Sequence, residues 1–191
     1  MQTAALPGLR AGPHGEAILP NPRTGEATLV RAAQRGSAEA FAELFRRHWP
    51  RAHRAAWLVV HDATAAEDVA QEAFLSAVRS LDRFDRRRPF GPWLHRIVVN
   101  RAIDYARARE LRREVAGVEY EMAAPDAADA PSEDVLAALA ALPPEQRAVI
   151  VMRHLLGFTP GEIAKSLGLP RGTVNSRLRR GLDDLQQAVE R

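Results

Sequence analysis

Cysteine is absent from the 191 residues, lysine occurs once, at Lys165, and only 6% of the side chains are aromatic. Without cysteine there is no disulfide, no thiolate nucleophile and no Cys-ligated zinc, which excludes redox and zinc-finger readings and fits a reducing compartment. No apolar run approaches the roughly 20 residues of a membrane span. The Pro/Gly-rich opening, from Leu6-Pro7-Gly8 to Pro20-Asn21-Pro22, lacks the apolar centre of a signal peptide. These absences point to a cytoplasmic protein without membrane insertion. His48, His53, His61, His95 and His154 are scattered, with no His-x-x-x-His beside a carboxylate, and there is neither a phosphate-cradling glycine loop nor a serine elbow. No catalytic residue, metal site or cofactor is assigned, and the chain is not read as an enzyme.

What is present is alanine, and arginine in uneven blocks. Thr28 to Arg113 carries 17 basic and 10 acidic residues, Glu114 to Asp134 carries 7 acidic and none basic, and Val135 to Arg191 carries 8 basic and 5 acidic. Two basic modules joined by an acidic connector is the pattern to explain. Residues 1–27, with Pro7, Pro13, Pro20 and Pro22 and little apolar period, read as a disordered leader. Residues 113–131 read as a flexible, solvated acidic linker.

Between these segments the apolar period is helical throughout, so the fold class is all-α: two small helical modules, 28–112 and 132–191. Phe41, Leu44, Phe45, Trp49, Ala52, Ala56 and Val59 form one stripe, capped by Ser37 and expected to break or bend near Pro50. Thr64 and Glu67 have capping-box spacing ahead of Val69, Ala70, Ala73, Phe74, Ala77, Val78 and Leu81. A charged loop from Asp82 to Gly91-Pro92 precedes a helix expected over Trp93 to Arg109. In the second module Thr159-Pro160-Gly161-Glu162 opens a short helix that stops at Gly168. A longer helix from Arg171 is expected to bury Val174, Leu178, Leu182 and Leu185. A short helix, a glycine turn and a longer polar helix make a helix-turn-helix.

That last helix offers the clearest surface. With Val174 and Leu178 inward, Asn175, Ser176, Arg179 and Arg180 share the outer face, where Arg and Asn suit base edges, and Arg171, Thr173 and Arg177 flank it for phosphates. The alternative is an amphipathic helix whose charges are solvated. In the first module Arg96, Asn100, Asp104 and Arg107 form a polar stripe, preceded by Arg86-Arg87-Arg88-Pro89-Phe90 and Trp93. Cations interleaved with aromatics suit a single strand; the alternative makes Phe90 and Trp93 core and the arginines a solvated loop. Asp104 is spaced to pair with Arg101 or Arg107. Glu67, Asp68, Gln71 and Glu72 crowd one side of their helix, suiting a protein-docking face or favourable first-turn acids.

Over Thr28 to Arg191 the sequence resembles the extracytoplasmic-function (ECF) group of bacterial alternative sigma factors, in the sigma-70 family. Ala40-Phe41-x-x-Leu44-Phe45, Glu67-Asp68-Val69-Ala70-Gln71-Glu72-Ala73-Phe74 and Phe90-x-x-Trp93-Leu94-x-Arg96-Ile97-x-x-Asn100 are similar to region two. Leu142-Pro143-x-x-x-Arg147, Glu162-Ile163-Ala164 and Gly172-Thr173-Val174-x-Ser176-Arg177-Leu178 are similar to region four. The resemblance implies two docking partners on core RNA polymerase, the clamp helices of the largest subunit for Asp68, Gln71 and Glu72, and the flap region. It implies that Phe84, Arg88, Arg96 and Asn100 hold the single-stranded minus-ten element, with Trp93 packed beneath. Arg171, Thr173, Asn175, Ser176, Arg177, Arg179 and Arg180 would meet the minus-thirty-five element as duplex promoter DNA. An anti-sigma factor is a further implied partner.

Overall fold

Alanine sets the spacing of the first bundle. The computed structural model describes residues 25–116 and 132–189, and among these there are helices and no strand. Helices α1 (Glu26–Gln34), α2 (Ala38–Val60), α3 (Ala63–Ser80) and α4 (Phe90–Ala116) pack together, and α5 (Glu133–Ala141), α6 (Pro144–Ile150), α7 (Pro160–Leu167) and α8 (Arg171–Val189) form a second bundle. Ala52 and Ala56 of α2, Ala66, Ala70, Ala73 and Ala77 of α3, and Ala102 of α4 are fully buried. Methyl groups at these contacts allow close helix approach, and Leu44, Leu94, Val98 and Val99 fill the remaining space.

Local signals and structure differ at four places. Pro50 does not break α2, which continues from Ala38 to Val60. The turns on either side of it are joined by stacked Phe45–Trp49 and Trp49–His53 rings, at 4.9 and 5.6 Å, and by Phe74 against Phe45 at 4.6 Å. Such packing offsets the lost hydrogen bond. Helix α3 is capped by Asp62, whose Oδ1 accepts from Ala65 N at 2.9 Å, and not by Thr64, because the chain enters the helix early enough for an equally good cap. Helix α4 begins at Phe90 and not at Trp93: Glu26 of α1 lends Oε1 to Phe90 N at 2.9 Å, and Pro92 falls in the first turn, where a missing N–H is harmless. In α8 the residue facing the core is Gly181, and Leu182 is 43% exposed. A Cβ on Gly181 would lie 2.5 Å from Ile150 Cδ1.

The segment limits also shift. Helix α1 starts at Glu26 and α4 reaches Ala116, so each bundle helix extends slightly into the stretches read as leader and linker. Residues 1–24 and 117–131, which hold the rest of those two segments, lie outside the described residues.

The two bundles meet along a seam that no local pattern announced. Every residue from Ala55 to Val60, the end of α2, is buried, because α6 and the π-helical turn that follows it, Val151–Leu155, cover the side that α3 and α4 leave open. The wide turn carries Leu156 N to Val151 O at 3.1 Å and ends at Gly157 with φ 77°. Arg51 Nη2 of α2 donates to Leu155 O at 2.5 Å, and Arg107 Nε of α4 to Glu145 Oε1 of α6 at 2.5 Å. The seam is not filled throughout: a cavity of about 350 Å³ opens where Arg51, His95 and Gly91 face Leu156.

Two histidines sit in this interior as neutral rings. His61 takes a left-handed conformation, φ 54°, as the C-cap of α2; burial, and next Arg147 across the seam, pull its pKa down to about 3. Burial, and then His48, bring His95 down to about 4. A depressed histidine pKa leaves the fold intact above the ordinary value of 6.5, and stability falls with pH as the unfolded chain takes protons that the fold refuses. At about pH 5.5 each histidine should withdraw about 1 kcal/mol, so the thermal midpoint should drop between neutrality and that pH. A flat midpoint across this window would show that the rings ionise in place.

Candidate nucleic-acid interface

The helix-turn-helix is built by its caps. Thr159 Oγ1 accepts from Glu162 N at 3.3 Å while Glu162 Oε2 accepts from Thr159 N at 2.8 Å, a complete capping box with Pro160 at the first helical position. Gly168, φ 64°, closes α7 in the left-handed region and turns the chain into α8. Val174 is fully buried, Leu178 and Leu185 pack on the same core, and Gly181 lets α8 lie directly on Ile150.

This anchoring leaves the opposite side of α8 in solvent. Arg171, Asn175, Arg179 and Arg180 are exposed, and Thr173, Ser176 and Arg177 are half-buried. Residues 171–180 hold four arginines and no acid, and the positive end of the helix dipole lies at the same end. The Ser176 hydroxyl donates to Thr173 O at 3.0 Å, so it faces a ligand as an acceptor. A helix of this width with fork-shaped donors on one face matches a duplex major groove.

The second surface lies on α4 and the loop before it. Arg88 and Arg96 are exposed and Asn100 is half-buried, with Asp104 and Arg107 continuing the stripe. Asp104 does not orient the neighbouring arginines as its spacing allowed: Arg101 reaches Glu72 at 2.5 Å and Ser76 Oγ at 2.6 Å, and Arg107 reaches Glu145. The aromatic order is the reverse of the one the sequence suggested. Phe84 is 7% exposed, wedged against Phe90 and Trp93 at 5.9 and 4.6 Å, whereas Trp93 is the half-exposed ring. Backbone constraint explains this. Gln34 Nε2 of α1 donates to Leu81 O at 2.9 Å and Phe84 O at 3.0 Å, turning the Phe84 ring inward. Neither Gln34 nor Glu26 stood out in the sequence, since each acts across dozens of residues on backbone groups.

The third surface is the acidic side of α3. Glu67, Asp68, Gln71, Glu72 and Leu75 are all exposed. Gln71 Nε2 donates to Glu67 Oε1 at 3.0 Å, and Glu72 is steadied by Arg101 from α4, a neutralising partner invisible in local spacing. An apolar side chain ringed by carboxylates and an amide suits a protein partner with basic side chains.

Comparison with known proteins agrees in both halves. The family model described as Sigma-70 region 2 matches residues 44–112, and that described as Sigma-70, region 4 matches residues 132–185. The chain is 38% identical over 157 residues to the ECF RNA polymerase sigma factor SigM of Mycobacterium tuberculosis, covering 81% of this chain and 80% of that one. It is 31% identical to the ECF sigma factor SigW of Bacillus subtilis over 84% of this chain and 94% of that one. Among solved structures it is similar to the sigma factor RpoE of Bartonella quintana in complex with the anti-sigma factor NepR, with TM-score 0.68, 27% identity, and coverage of 80% and 98%. It is also similar to CnrH in complex with the cytosolic domain of CnrY, with TM-score 0.64, 31% identity, and coverage of 86% and 97%.

Replacing Gly181→Val should force α8 away from Ile150 and lower stability by about 1–3 kcal/mol, read as a shift in the denaturant midpoint of the full chain. An unchanged midpoint would show that the α6–α8 contact yields freely.

Proposed function

The chain belongs to the ECF RNA polymerase sigma factors of the sigma-70 family, and from that premise we propose how its surfaces divide the work. As a sigma factor it joins core RNA polymerase and directs it to promoters, and sigma factors are initiation factors that act by binding. This chain performs no catalysis of its own and works in the cytoplasm, where core polymerase and promoter DNA are both within reach. An anti-sigma factor is its third partner, in keeping with the complexes of its structural neighbours.

Residues 28–112 form the module for core docking and the minus-ten element, 132–191 the module for the minus-thirty-five element, and 113–131 the tether between them. Asp68, Gln71 and Glu72 contact the clamp helices of the largest subunit; the second module meets the flap region. Arg88, Arg96 and Asn100 line the path of the unpaired non-template strand. Trp93, half-exposed on that path, takes the stacking position, with Phe84 as the buried ring that supports it. The exposed face of α8 reads duplex: Asn175, Ser176, Arg179 and Arg180 at base edges, Arg171, Thr173 and Arg177 at phosphates. The observation that carries this reading is the segregation of charge, with carboxylates on α3 and arginines on α8 and the α4 stripe, so that one protein partner and one polyanion are served without mutual repulsion.

Run-off transcription from a randomised promoter library, with core polymerase from the same source, tests it. Transcripts that depend on the protein should share two spaced elements; none, with duplex binding intact, would leave a DNA-binding protein that does not recruit polymerase. Asn100→Ala should impair promoter opening and spare core binding. Arg179→Ala should lose about 1–3 kcal/mol of discrimination at one base pair; an equal loss on every sequence would make Arg179 a phosphate contact.

A further inference from the structure

The cavity of about 350 Å³ at the seam belongs mostly to the first bundle, and its walls differ in chemistry. Arg47, His48 and Arg51 line it from α2 and His95 from α4, while Pro89, Pro92 and Leu156 form an apolar side. Gly91 keeps the polar side open. A Cβ there would stand 3.0 Å from His48 Cε1 and 3.9 Å from His95 Cε1, so glycine leaves space between the two rings and the first turn of α4.

Two groups on these walls lack what burial and charge ordinarily require. His95 is 5% exposed, yet its Nε2 has no hydrogen-bond partner, and a buried polar atom left so costs free energy. Arg51 has no carboxylate in ion-pair reach among the described residues; its Nη2 donates to Leu155 O, a neutral acceptor. The other charges are matched. Arg47 Nε donates to Glu43 Oε1 at 2.6 Å, and Glu26 has both oxygens occupied, one by Phe90 N and one by His48 Nε2, each at 2.9 Å. The uncompensated charge is felt inside: after burial and His48, Arg51 is the next influence that lowers the His95 pKa. A metal ion does not suit this place, since no three His, Cys, Asp or Glu side chains converge among the described residues and a guanidinium would repel it.

We infer that the cavity binds a small organic oxyanion of the phosphate-monoester class, its charged head between Arg51 and His95 Nε2 and its carbon body against Pro89, Pro92 and Leu156. A guanidinium presents parallel donors to such a head, and a neutral imidazole donates one more from Nε2. A water molecule would satisfy His95 and leave Arg51 without a counter-charge. The volume lies at the lower end of ligand pockets, which run from roughly 300 to 1,000 Å³, and leaves room beside an inorganic phosphate for an apolar body. A ligand so held joins the middle of α2 to the first turns of α4, the same turns that carry Trp93 and Arg96.

The test titrates the full chain with phenyl phosphate, inorganic phosphate and benzyl alcohol, following the imidazole Cε1–H signals of His48 and His95 by NMR. Phenyl phosphate should saturate one site, move both ring signals and raise the thermal midpoint. Inorganic phosphate should bind there about ten-fold more weakly, for want of apolar burial, and benzyl alcohol should not compete. Arg51→Met should weaken phenyl phosphate about ten-fold, and His95→Leu, which removes one neutral donor, about three- to ten-fold. The unmodified chain carries the first reading, so the inference stays open to refutation even if a variant unfolds. Ring signals that stay in place with every probe overturn the site. Full affinity in a folded Arg51→Met variant, or benzyl alcohol binding as well as phenyl phosphate, overturns the oxyanion assignment and leaves an apolar void.

Discussion

Everything in the architecture leans on the last two turns of α2. Residues Ala55 to Val60 are surrounded by α3 and α4 on one side and by α6 and the wide turn after it on the other. A helix buried around its whole circumference cannot be amphipathic there, and the sequence indeed changes from the alternating stripe of Phe41 to Ala52 to the nearly unbroken apolar run of Ala55-Ala56-Trp57-Leu58-Val59-Val60. The C-cap, His61, must then end the helix in an interior, and does so as a neutral ring in a left-handed turn. Both bundles share this one piece of core, so the position of the polar surfaces on α3, α4 and α8 is referred to a single rigid segment.

Periodicity made the helices and the helix-turn-helix legible, because those depend on residues a turn or two apart. The capping box of α7, the glycine at 168 and the buried Val174 are local, and each stands where spacing put it. What escaped were contacts made across long separations. The cap of α4 comes from Glu26 and the inward turn of Phe84 from Gln34, both on α1, which starts within the stretch that reads as leader. Asp62 and Thr64 are both capping residues, with Ala63 between them, and only the entry angle of the chain decides between them. Gly181 gives no apolar signal beside Leu182 because it has no side chain, although that lack is what fits it against Ile150.

The surface residues were legible as a set more than one by one. Charge type and helical phase located the α8 face, the α3 face and the α4 stripe, since an exposed side needs no partner to be recognised. Their individual states are tertiary facts. Glu72 is neutralised by Arg101 and Arg107 by Glu145, while Trp93 and Phe84 exchange the depths that the sequence suggested. An exposure read from helical phase holds where the group faces water, and the picture is incomplete where a neighbour from another helix reaches it.

The way α8 is mounted has a consequence for how such a protein can change. Its grip on the bundle comes from Val174, Leu178, Gly181 and Leu185, with Gln146 holding Asp184 at 3.1 Å beyond them. The residues that face outward, Asn175, Arg179 and Arg180, contribute almost nothing to that grip, and exchanges at such surface positions usually alter stability by no more than about 0.5 kcal/mol. On the proposed reading of this face, mutation can explore new target sequences along it without first repairing the fold, and a duplicated gene could diverge to a different set of promoters through a few arginine and asparagine codons alone.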